Sequence, residues 1–331
     1  MPTDVDVLVV GGGQAGLAVS HGLTGAGVEH VVLEQGSVGG AWDDRWDSFR
    51  LVTPNHMITL PAGEYRGDDP GGYFSRAEIA EHLRGYAASF CAPVQEQTPV
   101  DSLRADGGGF VAQTSDGGIR ARRVVVCTGA YQREHRPAFI AELERHVPVV
   151  ATTAYRSPEM LPPGRVLVIG GGQSGCQIAE ELSRAGRQVV LAASRAPAVP
   201  RRVAGRDIVD WLNDLGFFEH TLADMPSPAA RLVSNPLTTG ANGGHDLNLQ
   251  TLAARGVQLI GHVRGDDGAR IVAADDLTES VQVGAEAFSQ IWPASSTSPR
   301  RAENRRPTCP TLRRRCPMPR SRRGWPTSAS S

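Results

Sequence analysis

Three glycines and one acid give this sequence its first chemical content. Gly11, Gly13 and Gly16 follow an apolar run, Val7 to Val10, and Glu34 closes a second run, Val31-Val32-Leu33. At that spacing Gly11 makes a tight turn, Gly13 lets backbone approach a pyrophosphate, and Gly16 lets a helix pack closely on a strand. The helix start then offers free N–H groups and the positive end of its dipole to phosphate. Glu34 can accept two hydrogen bonds from a ribose, and its charge repels a 2′-phosphate, which favours FAD or NAD over NADP. These residues need a strand, a glycine turn, an amphipathic helix to about Thr24 and a second strand to position them.

The same arrangement recurs after the breaker Leu161-Pro162-Pro163-Gly164. Strand residues Val166 to Ile169 lead into Gly170, Gly172 and Gly175, a helix from about Ser174 to Ala185, and a strand Val189 to Ala192. Two such units imply two bound nucleotides, or one dinucleotide site plus a structural echo. The second unit ends in Ser194-Arg195 where the first ends in Glu34. A guanidinium clamps a 2′-phosphate bidentately, so this unit is expected to prefer NADPH, with Arg201 and Arg202 as reinforcement. A solvated surface Arg is the alternative.

Between the units, the stretch to Tyr65 is rich in Gly, aromatic and turn residues. Gly39 and Gly40 allow close backbone approach, Trp42 can cover a flat ring, and Arg50 can pair with phosphate; an ordinary surface loop with a buried Trp is the other reading. A scaffold helix is expected over residues 75–90, with Ser75 as N-cap, Glu78 three residues on, and Ile79, Leu83, Tyr86 and Phe90 at helical spacing. Short strands are expected over 94–103, 110–114 and 119–127, the last returning its end, Thr128-Gly129, to the cofactor. Residues 205–219 carry a helical stripe, Ile208, Trp211, Leu212 and Leu215, that either lines a substrate pocket or buries against the second domain. A helix and two short strands follow, in 247–261 and 269–276.

At 331 residues the chain has room for two domains. All 34 basic residues are Arg. Ten of them lie after Ser289 against the single acid Glu303, so the tail carries about +9 and the rest about −10. The body gives no electrostatic reason to expect nucleic-acid binding. No apolar run reaches membrane-spanning length and no signal-like segment opens the chain, so a cytoplasmic location is expected. The five cysteines show neither metal-ligand spacing nor a CxxC pair, which argues against a metal site and against disulfide reductase chemistry.

GGGQAG with Glu34, GGGQSG with Arg195, and the intervening GGAW, RLVTPN and CTGAYQ resemble the flavin-containing monooxygenases, and more closely the bacterial YUCCA-like branch of flavoproteins with two dinucleotide-binding domains. The resemblance spans residues 4 to about 285. It implies an α/β, three-layer fold with two Rossmann-like domains: an FAD domain over 1–157, lacking its usual C-terminal return segment, and an NAD(P)H domain over 158–287. It also implies FAD held by Gly11, Gly13, Gln14, Ala15, Gly16, Glu34, Gly39, Gly40, Trp42 and Arg50, with Val100, Thr128 and Gly129 alongside. NADPH would be held by Gly170, Gly172, Ser174, Gly175 and Arg195. In that family NADPH reduces the flavin, and O2 then supplies an oxygen atom to a small lipophilic substrate. Asn55 falls where nitrogen- and sulfur-oxidising members place an Asn near the flavin. The alternatives are an NADPH oxidase or reductase without oxygen insertion and a truncated nucleotide-binding product; substrate and oligomeric state are not fixed by these residues.

Two departures stand out. The family's linker motif, FxGxxxHxxxW or its Tyr variant, keeps only its last aromatic, Tyr155, with Arg145, Val147 and Ala151 at the other positions. Residues 288–331 have no hydrophobic period, and a disordered Arg/Pro/Ser-rich tail is expected there. Its composition, Arg without Lys among Pro, Ser and Ala, is what a GC-rich coding region yields when read out of frame; a basic partner-binding arm is the alternative.

Overall fold

The computed structural model describes residues 3–131, 133–193, 195–224, 236–267 and 270–291. The first half runs β1 (Thr3–Val10), α1 (Gln14–Gly25), β2 (His30–Leu33), α2 (Gly40–Asp43), β3 (Thr59–Leu60), β4 (Gly63–Glu64) and α3 (Arg76–Ser89). Four strands follow, β5 (Val94–Gln95), β6 (Val100–Asp106), β7 (Gly109–Thr114) and β8 (Gly117–Val126), and then the short α4 (Ile140–Leu143). The second half runs β9 (Val166–Ile169), α5 (Gln173–Arg184), β10 (Val189–Ala192), β11 (Arg202–Val203), β12 (Arg206–Asp207), α6 (Ile208–Asp214) and α7 (Leu249–Ala254). It closes with β13 (Gln258–Ile260), β14 (Val263–Asp266), β15 (Ile271–Ala273) and α8 (Leu277–Ile291).

By contacts the described chain divides into two units, one of residues up to 38 with 83–127, the other of 39–82 with residues from 128 onward. This division at 127/128 differs from the expected domain boundary at 157/158. The reason is packing. Trp46, Tyr155 and the partly buried Phe49 belong to the same apolar cluster as α5, β10 and α7.

In the first unit one sheet runs β5-β2-β1-β8-β7-β6. Its first four strands are parallel and the last three form an antiparallel meander. β1 lies between β2 and β8, which leaves Leu8 and Val9 at 0% exposure. His21 of α1 stacks on Tyr86 of α3 at 5.8 Å and meets Phe90 edge-on at 5.1 Å, so the expected scaffold helix is held by rings. The run expected as one strand over 94–103 is two. β5 pairs with β2 and β6 with β7, and Gln97 turns between them at φ 54°.

In the second unit the parallel sheet is β13-β10-β9. α5 buries Cys176, Ile178, Ala179 and Leu182 against Leu191, Leu237, Leu247 and Leu252. Among the described residues no strand pairs with the outer edge of β9, and Ile169 is 37% exposed. β14 and the long α8 were not legible in the sequence. α8 passes the expected boundary at 287/288 and reaches Ile291; residues 292–331, where the tail was expected, lie outside the described residues. No described helix is long and apolar enough to cross a membrane.

Leu182 has no exposure and sits at the centre of the second unit's core. Leu182→Ala is expected to cost about 2–5 kcal/mol, read as a lowered midpoint in urea unfolding of the full chain.

Candidate dinucleotide site

The first glycine turn is built around one carbonyl. Gly11 adopts φ 106° and its N–H donates to Leu33 O at 2.7 Å, while a Cβ at Gly16 would overlap the Gly11 carbonyl oxygen. Helix and turn meet there because neither carries a side chain. Gly13 caps α1 in extended backbone, φ −81°, with no side-chain cap on the helix's free N–H groups. Among the described residues nothing lies within 4 Å of where its Cβ would stand. Gln14 and Ala15 are exposed in the first turn of α1. Glu34 Oε2 accepts from Gly12 N–H at 2.6 Å and Oε1 from Gly36 N–H at 2.9 Å. The acid therefore braces the turn with both oxygens, each keeping a lone pair for a ribose. Val100 opens β6, two residues past Thr98, whose N–H donates to Glu34 O at 2.8 Å.

The second turn repeats this construction. Gly170 adopts φ 113°, its N–H donates to Ala192 O at 3.1 Å, and a Cβ at Gly175 would overlap the Gly170 carbonyl oxygen. Gly172 caps α5 at φ −78°, again with nothing within 4 Å of its Cβ position. Ser174 is half-buried in the first turn. Cys176 beside it is fully buried, donates to Gly171 O at 3.3 Å, and burial pushes its thiol up to about 12. Arg195, three residues past β10, is exposed and ion-paired with Glu279 of α8; Ser194 lies outside the described residues.

The expected reinforcement by Arg201 and Arg202 is not what the structure shows. Arg201 is 1% exposed, salt-bridged to Asp207 at 2.6 Å, and donates to Tyr73 OH at 3.0 Å and Val52 O at 2.8 Å. Arg202 donates to the carbonyls of Gly244 and Gly243 at 2.8 and 2.9 Å. Both guanidiniums hold the protein's own oxygens.

The segment expected to cover a ring is shaped largely by the protein itself. A Cβ at Gly39 would come within 2.8 Å of Ala80 O, so α3 demands that glycine, and Gly40 opens α2. Trp42 lies 5.8 Å from Phe49, and Arg45 stands 5.5–5.9 Å from the rings of Trp42, Phe49 and Tyr131, its buried Nε without a partner. Sequence reading missed Arg45; a Trp-x-x-Arg spacing beside further aromatics is the signal it left. Arg50 donates to Tyr73 O at 3.0 Å and pairs with Glu78 at 3.1 Å. Thr128 and Gly129 follow β8 directly. Tyr155 is buried, its hydroxyl donating to Glu181 at 2.8 Å, so the one linker aromatic that survives is a core residue.

Asn55 is 4% exposed, its N–H donating to Gly72 O and its Nδ2 to Asp69 O, both at 2.9 Å. Its buried Oδ1 has no partner among the described residues, an acceptor held in place by the bonds of its own N–H and Nδ2. A cavity of about 590 Å³ opens nearby, bounded by Arg50, Asp69 and Tyr73 and by Glu180, Glu181 and Arg184 of α5. Among the described residues no group of three or more His, Cys, Asp or Glu is placed to hold a metal.

Comparison with known proteins finds oxidoreductases. A family model described as pyridine nucleotide-disulphide oxidoreductase matches residues 8–210. An uncharacterized CzcO-like oxidoreductase of Geobacillus kaustophilus is 38% identical over 214 residues, 64% of this chain and 61% of that one. A probable indole-3-pyruvate monooxygenase of Arabidopsis thaliana, YUCCA4, is 33% identical over 193 residues, 55% of this chain and 46% of its own. Among solved structures, a flavin monooxygenase of Stenotrophomonas maltophilia is similar at TM-score 0.63 and 26% identity, over 82% of this chain and 74% of that one. The match thus spans about three-fifths of the length of the first bacterial relative.

The turn that carries Asn55 is tied to α6 by its neighbour. His56 Nδ1 meets Pro70 O at 2.8 Å and Nε2 meets Asp210 Oδ1 at 2.6 Å; both partners are acceptors, and only the imidazolium donates to both at once. Burial opposes that charge, but the bonds to Asp210 and Pro70 and the nearby carboxylates outweigh it and raise the pKa above 6.5. The stabilisation is therefore complete below about pH 6.5 and is lost as pH rises through the raised value. Relative to Asp210→Asn, the full chain's urea midpoint is expected to fall between neutral and alkaline pH, by under about 1 kcal/mol because the pair is partly solvated.

Proposed function

We propose, from the premise that the chain belongs to the pyridine nucleotide-disulphide oxidoreductase family, that it is an FAD- and NADPH-dependent oxidoreductase of the flavin monooxygenase type, acting with O2 on a small lipophilic substrate in the cytoplasm. The observation that carries the reading is the pair Gly13 and Gly172. Both have backbone angles open to any residue, and none of the described residues stands where a side chain would go. Packing explains Gly16, Gly175 and Gly39; a ligand lying against the helix start explains Gly13 and Gly172.

In this reading Gly11, Gly13, Gln14, Ala15 and Gly16 present the first turn's N–H groups to the FAD pyrophosphate, and Glu34 receives the ribose. Gly39, Gly40, Trp42, Arg50, Val100, Thr128 and Gly129 complete the FAD residues, with the reservation that Arg50 must leave Glu78 to meet a phosphate. Gly170, Gly172, Ser174 and Gly175 present the second turn to NADPH, and Arg195 meets the 2′-phosphate. When bound, FAD supplies two-electron chemistry, accepting a hydride from NADPH and passing reducing equivalents to O2. Asn55 offers its unpaired Oδ1 as a fixed acceptor for a polar hydrogen near the reaction. Disulfide exchange is disfavoured, since the Cys176 thiol is kept protonated and Cys127 is also pushed up by burial.

NADPH oxidation without oxygen insertion is a second reading, favoured by the linker positions Arg145 and Val147, which are solvent-exposed. NADPH consumption matched by hydrogen peroxide release supports it, and consumption matched by an oxygenated product supports the first. Both require dinucleotide binding, which the two glycines test directly. Gly13→Ala is expected to keep the unfolding midpoint of the parent while lowering FAD affinity at least about tenfold, and Gly172→Ala to do the same for NADPH. Visible absorption after FAD addition and titration with NADPH give the readings; full affinity in both variants would overturn the proposal, as would a parent chain that takes up neither cofactor.

A further inference from the structure

We propose that Glu279 sets how strongly the second glycine turn distinguishes a 2′-phosphate from a 2′-hydroxyl, by acting as an internal anion on Arg195. The inference deepens the reading of that turn as the NADPH site and rests on it. Glu279 forms an ion pair with Arg195 across 84 residues of sequence. Arg201 and Arg202 are committed to Asp207 and to backbone carbonyls, so Arg195 is left to meet a 2′-phosphate without their help.

The two side chains are exposed, but the backbone segments that carry them are fixed by hydrogen bonds. Ala193 N–H donates to Ile260 O at 2.9 Å, which ties the end of β10 to β13. From β13 the chain is pinned to the start of α8. Ala274 N–H donates to His262 O at 2.9 Å, and Asp276 accepts from His262 N–H at 3.1 Å and from its Nδ1 at 2.5 Å. Leu277 and Val281 pack on the core of α5 and Ser280 is 1% exposed, which leaves Thr278 and Glu279 as the outward-facing residues of the first turn. A carboxylate in a helix's first turn is also favoured by the helix dipole.

The consequence is chemical. A 2′-phosphate needs the guanidinium fork that Glu279 engages, and it brings a dianion beside a carboxylate. A 2′-hydroxyl carries no charge and displaces nothing. Glu279 therefore weakens the phosphate-bearing dinucleotide selectively and leaves the other almost unchanged, narrowing the preference that Arg195 confers.

The test is titration of the full chain with NADP+ and with NAD+ at fixed ionic strength, for the parent, Glu279→Gln, Arg195→Gln and the double variant. Glu279→Gln is expected to tighten NADP+ about fivefold, as for a partly screened like-charge contact, and to leave NAD+ within about twofold. Arg195→Gln weakens NADP+, and in its background Glu279→Gln loses its effect, because the carboxylate acts through the guanidinium. If Arg195→Gln weakens NADP+ but Glu279→Gln changes neither ligand, or both equally, the inference fails while the site reading stands. If the parent binds neither dinucleotide, or Arg195→Gln leaves NADP+ untouched, the site reading fails and the inference with it.

Discussion

A backbone oxygen standing where a methyl group would otherwise be is the constraint on which both halves of this molecule depend. The Gly11 carbonyl excludes a side chain from Gly16, and the Gly170 carbonyl excludes one from Gly175. In each case the helix settles against the turn and its first N–H groups face outward from the strand ends. The turns share a positive φ at their first glycine and a hydrogen bond to the strand alongside. What separates them is the charge that follows, Glu34 bracing the first turn with two amides and Arg195 reaching a carboxylate beyond the second.

The second unit is held by a polar anchor of a different kind. Arg201, Asp207 and Tyr73 share one set of hydrogen bonds in the interior, and Arg201 reaches on to Val52. Removing a charge from its solvent is costly, and such a pair is maintained only when every donor finds an acceptor. Here the guanidinium lies 4.4 Å from the Tyr73 ring as well, and the Arg201 backbone N–H donates to Asp246 Oδ1 at 2.6 Å. Burial and the Asp207 carboxylate push the Tyr73 phenol upward, so the hydroxyl stays a donor across the working pH range. The anchor fixes the 50–75 segment, which includes Asn55, to the strands and helix after β10.

Much of the scaffold was legible because glycine spacing and apolar runs are local signals. Strand β10 falls where the runs put it, and the ends of α1 and α5 lie within a residue or two of the pattern. Partner choice is not local, and the reading of the arginines failed on it. Arg201 beside Arg202 looks like a basic patch, yet one is interior and the other clasps a loop. Duplication carries no more information about partners. Val-Leu-Val-Val in β1 and Val-Leu-Val-Ile in β9 are nearly the same word, but among the described residues the first has strands on both sides and the second has one. A copied sequence does not copy its neighbours. α8 escaped notice because its place is set by Asp276 and by contacts of Leu277 and Val281 to a distant core.

Cys176 occupies the position after the tightest glycine of the second turn, and its surroundings decide what kind of atom its sulfur is. Burial pushes its thiol up to about 12, so it stays protonated at neutral pH. The sulfur is a space-filler there, closer to a methyl group than to a nucleophile, and the turn is protected from the oxidative wear that an exposed thiol would invite. Of the two free cysteines among the described residues, alkylating reagents applied to the native fold would reach half-buried Cys127 before Cys176, and modification at Cys176 would report opening of the core rather than chemistry at its surface.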